Sequence, residues 1–321
     1  MFDLALQNLL SPMVLFFALG VFAASVHSDL TVPEAVAKFL ALYLLLSIGF
    51  RGGAEVAHHG LTVQLAATIV AGILLSFVTP FIAFAVLRTT SGLNRTDAAS
   101  VAGHYGSISA VTFVAVTGVL GQLSIPFDGY LVAVAAAMET PAIFAALLIA
   151  RSDGSDRSNN KGVVREIAFN GSIVILIGAF IIGMVTGQRG MSMLKPFIGD
   201  AFLGFLCLFL LDMGLVAGRG LKQGWRYLSP SIALFAVGMP LLGALLAAGL
   251  SLAIGLSPGS AAVLMTLAAS ASYIAVPAAM RLALPEANPT IALTLSLGVT
   301  FPFNLLLGIP LYIAVARHIA G

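Results

Sequence analysis

Apolar runs of about 20 residues, almost free of charge, recur along the whole of this 321-residue chain. Each run is long enough to cross a hydrocarbon core of about 30 Å as a helix. The chain is 60% hydrophobic and 9% charged, whereas soluble domains carry about a quarter of their residues as charges. Only helices or a closed barrel satisfy their own backbone hydrogen bonds in lipid. Because the runs are continuous rather than alternating, they predict an all-α membrane protein.

Ten transmembrane helices are predicted, and several have a recognisable start. Ser11-Pro12, Pro33-Glu34 and Ser257-Pro258 each suit the first positions of a helix. A polar loop at 151–166 divides the chain into a first repeat at 1–150 and a second at 167–321. The predicted helices cover residues 9–27, 33–52, 61–88, 98–121, 127–150, 167–187, 200–218, 228–255, 258–284 and 288–316.

Lysine and arginine predict the orientation of these helices, because they are enriched in cytoplasmic loops. One set of loops contains 11 of these residues and the other contains four. The larger set is therefore assigned to the cytoplasm, with both termini outside and the 151–166 loop inside. The larger set consists of Lys38, Arg88, Arg95, Arg151, Arg157, Lys161, Arg165, Arg219, Lys222, Arg226 and Arg281, and the smaller of Arg51, Arg189, Lys195 and Arg317.

The two halves resemble each other in short motifs that keep their order and nearly constant spacing. The matches are 45–49 with 210–214, 98–99 with 261–262, 107–109 with 270–272, and Pro141 with Pro302. Five helices per half is an odd number, so the second half enters the membrane from the opposite side. The pattern therefore predicts a 5+5 inverted-topology repeat, an arrangement whose binding sites lie near the midplane.

Two small, polar stretches interrupt the fourth and ninth predicted helices, at 103–109 and 269–277. Glycine and an interior proline such as Pro277 weaken a helix, and irregular backbone at membrane depth occurs only against protein or water. Two broken, crossing helices would aim backbone N–H groups at one point, which suits an anion. The alternative is close helix packing through small residues. The candidate substrate-binding residues are Tyr105, Gly106, Ser107, Ser109, Ser270, Ser272 and Tyr273.

Glu139, near the centre of the fifth predicted helix, is the most informative single residue. A carboxylate inside the membrane indicates a functional site by default. Its counterpart in the second half is Thr300, near Asn304, and Thr112 lies close to the fourth-helix break. These oxygen donors suit a small hard cation, and we assign Thr112, Glu139, Thr300 and Asn304 to Na⁺. The alternative is a protonated Glu139 that bonds to a neighbouring helix.

Other polar residues have simpler interpretations. Asp212 is either a helix-end charge or part of an ion path, and Arg51 and Glu55 are expected to face water. The single Cys207 excludes a disulfide framework and a cysteine metal site. His104 and Ser107 lack a third orienting group for catalysis, so no enzyme activity is expected. No organic cofactor and no nucleic-acid partner are expected either.

Several motifs resemble those of the cyanobacterial-type sodium-dependent bicarbonate transporters, and the resemblance spans the whole chain. Glu139-Thr-Pro141 is similar to an acidic-x-Pro element of that family's fifth helix. The other similar segments are Gly106–Thr112, Ser270–Arg281, Leu284–Pro289, Leu295–Asn304 and Gly308–Tyr312. The chain departs from the family pattern in carrying Glu139 in place of Asp, Ser107 in place of Ala or Gly, and a shorter 151–166 loop.

The resemblance implies Na⁺-coupled symport of bicarbonate into the cell across a bacterial inner membrane. It also implies a core domain of helices three to five and eight to ten that moves against a gate domain. The implied partners are two further copies in a homotrimer and a cytoplasmic PII-like regulator, besides the lipid bilayer.

Two other transport functions stay open at this stage. A sodium symporter for another small organic anion, such as a bile acid or a 2-keto acid, would share the fold. A sodium/proton antiporter usually holds an acidic pair, and Glu139 has no acidic neighbour in the broken helices.

Overall fold

The computed structural model describes residues 10–59, 62–150, 171–273, 276–277, 280 and 284–320. All regular structure in these residues is helical, as predicted. The predicted 151–166 loop lies outside the described residues. The helices are α1 (Pro12–Ser25), α2 (Glu34–His59), α3 (Val63–Thr90), α4 (Arg95–Gly106), α5 (Ala110–Gln122), α6 (Leu131–Ala137), α7 (Pro141–Ala150), α8 (Gly171–Leu194), α9 (Phe202–Gly224), α10 (Pro230–Ile254), α11 (Pro258–Ala268) and α12 (Pro289–Ala320).

Eight helical segments of the described residues are long and apolar enough to cross a membrane. In two of them the span is made of two helices joined end to end, α4 with α5 and α6 with α7. The apolar helices α1 and α11 are shorter. These ten segments follow the ten predicted helices in order, so the chain is a multi-pass membrane protein.

The predicted helix starts are confirmed. The Ser11 hydroxyl accepts a hydrogen bond from the Val14 amide at 3.4 Å, and the Ser257 hydroxyl accepts one from the Ser260 amide at 3.3 Å. Pro12 and Pro258 occupy the first helical positions, where a missing N–H costs nothing. The second helix begins at Glu34, directly after Pro33. Local side-chain chemistry therefore determines these ends.

Several helices contain irregular turns that the sequence reading missed. Gly187, the predicted end of the sixth helix, is instead a kink with φ 53° and ψ −145°, beyond which α8 continues to Leu194. A π-helical turn follows at Lys195–Asp200. The last helix, α12, contains two more π-helical segments, at Thr294–Thr300 and Asn304–Gly308. π-helical turns are uncommon and often mark functional positions.

Four helices pair closely through glycine. α1 packs along α9, and α2 packs along α8. A methyl group added at Gly20 of α1 would overlap the Leu211 carbonyl oxygen of α9, and one added at Gly183 of α8 would overlap that of Phe50 in α2. Small residues allow such close backbone approach between membrane helices.

The remaining helices pack around the interrupted segments. α3 contacts α4, α7 and α10, while α11 packs between α10 and α12. α4 also packs against α7. The breaks in the fourth and ninth helices therefore lie inside a helical bundle, where protein can satisfy their backbone.

Arg51 does not simply face water, as predicted, but binds the chain that joins α8 to α9. Its guanidinium donates to the carbonyl oxygens of Ile198 and Gly199 at the end of a π-helical turn. It also stacks over the Phe202 ring, 4.5 Å from the ring centroid. A cation at a helix C-terminus stabilises the carbonyl groups that lack partners there. Arg51 thus fastens α2 to the α8–α9 connection.

We predict that Arg51→Ala lowers the free energy of unfolding by about 1.5–3 kcal/mol, the usual contribution of a hydrogen bond to a charged group. Unfolding of the purified protein in detergent measures the change. Arg189→Ala is the control, because Arg189 is exposed on α8. Equal effects of the two substitutions would contradict the role assigned to Arg51.

Candidate functional site

The fourth predicted helix is interrupted where its glycine and serine residues predict. α4 ends at Gly106 and α5 begins at Ala110. Ser107 and Ser109 are extended, with φ/ψ of −95°/147° and −99°/112°. The Ser109 hydroxyl caps α5 by accepting from the Thr112 amide at 3.2 Å. Gly106 lies against Pro80 of α3, so no side chain would fit there.

The ninth predicted helix is interrupted as well. α11 ends at Ala268, and residues 270–272 have no regular structure. Helical residues reappear at 276–277, while 274–275 lie outside the described residues. The prediction of a break at 269–277 is therefore confirmed at its beginning.

The two breaks touch each other directly. The Ser109 amide donates to the Ser270 hydroxyl oxygen at 2.9 Å, and the Ser270 hydroxyl donates to the Leu267 carbonyl at 2.8 Å. In the other direction, the Ser272 amide donates to the His104 carbonyl at 2.8 Å. Each interrupted helix therefore provides a hydrogen-bond partner for a backbone amide that the break in the other helix leaves unpaired. The segments cross at one buried point.

Tyr273, in the second break, has a buried hydroxyl without a hydrogen-bond partner in the described part of the chain. The Ser109 side chain lies close enough to interact with this hydroxyl without forming a normal hydrogen bond. Buried polar groups are nearly always satisfied. The unpaired Tyr273 hydroxyl beside the crossing point is therefore a group to which a polar ligand could form a hydrogen bond.

Two predicted ligands, Tyr105 and Thr300, bond to each other instead. The Thr300 hydroxyl donates its single proton to the Ala236 carbonyl at 2.7 Å, so it must accept the 2.7 Å bond from the Tyr105 hydroxyl. The Tyr105 ring packs edge-on against Phe235. This chain of bonds joins α4, α12 and α10.

Asn304 holds the second break in place. Its side-chain amide donates to the Ala269 carbonyl at 2.8 Å, and its oxygen accepts from the Tyr312 hydroxyl at 2.9 Å. The sequence predicts that Asn304 binds Na⁺ and indicates no role for Tyr312. The signal for their pairing was the spacing of eight residues, which places both on one side of α12.

Glu139 lies in a third interruption, and the prediction of a continuous helix over 127–150 is wrong. α6 ends at Ala137 and α7 begins at Pro141, with a turn at 138–140. Pro141 is responsible, because it lacks an N–H and its ring clashes with the carbonyl four residues earlier. The Glu139 side chain is only 5% exposed.

The turn around Glu139 is joined to the fourth-helix break. The Ser107 hydroxyl donates to the backbone carbonyl of Glu139 at 3.1 Å, and the Ser76 hydroxyl of α3 donates to that of Met138 at 2.5 Å. Both bonds use the backbone and not the Glu139 carboxylate. Ser76 was missed because a lone serine in an apolar helix gives little signal.

A cavity of about 740 Å³ reaches this region from one side. It extends from the exposed Glu34 and Arg219 to Tyr273, along α9 and α12. A second cavity, of about 350 Å³, is lined by Arg51, Glu55 and Thr117. Glu34 begins α2 and Arg51 lies 17 residues later, about 26 Å along the helix axis. The two cavities therefore open near opposite ends of α2.

Asp212 is buried in α9, next to Met213, which lines the larger cavity. The two interpretations of Asp212 drawn from the sequence, a helix-end charge or an ion-path residue, both stay predictions.

Interrupted helices that meet inside a bundle, between cavities at opposite ends, are typical of secondary transporters. The family model of the Na⁺-dependent bicarbonate transporter superfamily matches residues 12–317. The chain therefore belongs to this superfamily, and the resemblance drawn from its motifs is confirmed. A search of curated proteins finds none that matches.

Membership implies sodium-coupled transport of bicarbonate and defines the chain as a transporter, not an enzyme. Sodium dependence and a bicarbonate substrate thus follow at the level of the superfamily.

We predict that Ser270→Ala lowers the free energy of unfolding by about 1–3 kcal/mol, because it leaves the buried Ser109 amide without an acceptor. Ser251→Ala is the matched control. The Ser251 hydroxyl is buried and makes no hydrogen bond in the described residues, so its removal should be neutral or stabilising. Chemical unfolding in detergent measures both, and a larger loss for Ser251→Ala would contradict the bridging role of Ser270.

Proposed function

We propose that this protein is a secondary active transporter that couples Na⁺ entry to bicarbonate uptake by alternating access. The observation that carries the proposal is the direct hydrogen bonding between the two interrupted segments, Ser109 to Ser270 and Ser272 to His104. It brings two helix breaks, one from each half of the chain, to one buried point.

The proposed inverted repeat is supported by polar contacts that recur at matched positions. Asn94 caps α4 and Ser257 caps α11, 163 positions apart. Three residues after each cap, a side chain accepts a hydrogen bond from a backbone amide that precedes the last span of the other half of the chain. Asp97 accepts from Asn288 at 2.7 Å, and Ser260 accepts from Asp128 at 2.9 Å.

Helix packing also supports the symmetry between the two halves of the chain. If the first five predicted helices are exchanged with the second five, the α1–α9 contact becomes the α8–α2 contact, and both are present. The α4–α7 contact likewise becomes the α11–α12 contact. We propose that α1, α2, α8 and α9 form the gate domain, and that α3–α7 and α10–α12 form the core domain.

We propose that bicarbonate binds at the crossing point, near Ser109, Ser272 and Tyr273. The N-terminus of α5 favours an anion through its positive dipole end. The Tyr273 hydroxyl is a donor in need of an acceptor, and the Ser109 proton is not used in capping α5. Gly106, Ser107 and Ser270 hold the backbone of the crossing.

For Na⁺ we propose the Glu139 carboxylate with the Thr112 hydroxyl. Glu139 lies in the turn that Ser107 joins to the fourth-helix break, and Thr112 lies in the first turn of α5. Thr300 and Asn304 already make hydrogen bonds that hold the core together. Their oxygen atoms keep the capacity for a further contact, but Asn304 mainly fixes the second break and Thr300 mainly joins α12 to α4 and α10.

Coupling to Na⁺ has an electrostatic reason. A monovalent anion that enters a negative cell interior is opposed by about 2.3 kcal/mol per 100 mV. One co-transported Na⁺ cancels this cost, and its concentration gradient adds a driving force. In this cycle the cavity beside Tyr273 is the cytoplasmic opening, because Arg219 at its mouth belongs to the larger basic set.

The cellular context follows from the resemblance and, for the orientation, from the distribution of lysine and arginine. We propose a bacterial inner membrane with both termini outside, a homotrimer, and a PII-like regulator on the cytoplasmic side.

The test is uptake of labelled bicarbonate by proteoliposomes. We predict that uptake requires external Na⁺, and that Glu139→Gln reduces it at least tenfold because the cation loses its charged ligand. Glu286→Gln, in an exposed turn, should leave uptake unchanged. Equal uptake when K⁺ replaces Na⁺ would contradict the coupling.

A second candidate is symport of a larger organic anion, which the volume of about 740 Å³ beside Tyr273 favours. Pyruvate added in excess distinguishes the two. Undiminished bicarbonate uptake supports the first proposal, whereas full competition together with Na⁺-driven pyruvate uptake supports the second.

A further inference from the structure

A partly exposed groove runs between α1, α9 and α12. It is lined by Phe17, Ala18 and Phe22 of α1, Leu221 of α9 and Pro302 of α12, and its volume is about 390 Å³. We call it the α1–α9–α12 groove. The residues that line it are apolar, and Ala18 and Phe22 are exposed.

The groove has a defined direction along the helices. At one end, Leu221 lies beside Gly298 of α12, where an added methyl group would be 3.4 Å from its side chain. Towards the other end, the rings of Phe17 and Phe301 meet edge-on at 5.5 Å. The groove therefore extends along α1 from near the end of α9 towards the middle of the bundle.

A basic pair lies just beyond the Leu221 end. Lys222 follows Leu221 in α9, and its ammonium group hydrogen-bonds to the Nε2 atom of His27, two residues after α1 ends. His27 adopts a left-handed backbone conformation, with φ 58°. An ammonium group can only donate, so His27 Nε2 accepts and its Nδ1 carries a proton. The pair retains N–H donors on both residues.

We propose that the α1–α9–α12 groove binds one acyl chain of an anionic phospholipid, whose phosphate contacts Lys222 and His27. An apolar groove at this depth is filled by hydrocarbon, because lipid chains are the solvent of the membrane interior. Lys222 and His27 contact each other through a hydrogen bond between their side-chain nitrogen atoms. Basic groups at the ends of transmembrane helices attract anionic headgroups.

The position of the groove gives the bound lipid a mechanical role, which rests on the proposed function. α1 and α9 belong to the proposed gate domain, and α12 belongs to the proposed core domain. A chain lying between them contacts both moving parts. Ala217 and Gly298 line both this groove and the cavity that reaches Tyr273, so the lipid chain also closes the side of that cavity.

The test is native mass spectrometry of the purified full-length protein, titrated with phosphatidylglycerol and phosphatidylcholine of identical chains. We expect tighter binding of phosphatidylglycerol, weakened about fivefold by Lys222→Gln, since each basic residue contributes about 1 kcal/mol to anionic lipid binding. Ala18→Phe fills the groove and should weaken binding of both lipids.

Matched controls separate this site from general lipid association. Lys38→Gln removes an exposed basic residue of the same predicted membrane face, and Leu234→Phe enlarges an exposed residue on α10. Neither should change binding. Equal affinities for the two lipids, or equal effects of Lys222→Gln and Lys38→Gln, would overturn the proposal. These outcomes do not depend on bicarbonate uptake, so they are distinguishable from failure of the proposed function.

Discussion

The fold depends on the mutual hydrogen bonding of two interrupted helices. A helix broken inside a membrane loses backbone partners that lipid cannot replace. Here the amide of Ser272 bonds to the His104 carbonyl, and the amide of Ser109 reaches the Leu267 carbonyl through the Ser270 hydroxyl. Neither break would be tolerated alone, which is why they occur as a pair. The candidate binding site follows from that requirement, because the groups that satisfy each other also surround the crossing point.

Side chains that sequence reasoning grouped as ligands divide into two roles in the structure. Tyr105 bonds to Thr300, and Asn304 bonds to the Ala269 carbonyl at the end of α11. Together with the bond from Thr300 to Ala236, these contacts hold α4, α10, α11 and α12 together. Tyr273 is buried with a hydroxyl that is unpaired in the described residues, and Glu139 is buried with its backbone carbonyl bonded to Ser107. A rigid framework with a few unsatisfied groups is what a selective binding site needs, because positioned donors and acceptors fix the orientation of a small ligand.

The parts of the fold that could be predicted depend on short-range physics. Apolar length located the spans, Ser-Pro pairs located helix starts, and glycine with serine located the breaks. The turn at Glu139 was within reach, since Pro141 is visible in the sequence, but a helix can kink at proline and continue. The contact of Arg51 with Ile198 and the bond of Asn304 to Ala269 join residues 147 and 35 positions apart. No local pattern encodes such pairs, because they depend on how the helices pack.

The π-helical segments of α12 have a geometric consequence. A π turn contains one residue more than an α turn, so reverting one to α geometry would rotate the rest of the helix by about 100°. Asn304 lies between the segment at 294–300 and the end of the chain, and its bond to Ala269 would be lost in such a rotation. The last helix therefore contains turns with an additional residue, and the anchoring of the second break by Asn304 depends on where along α12 those turns lie.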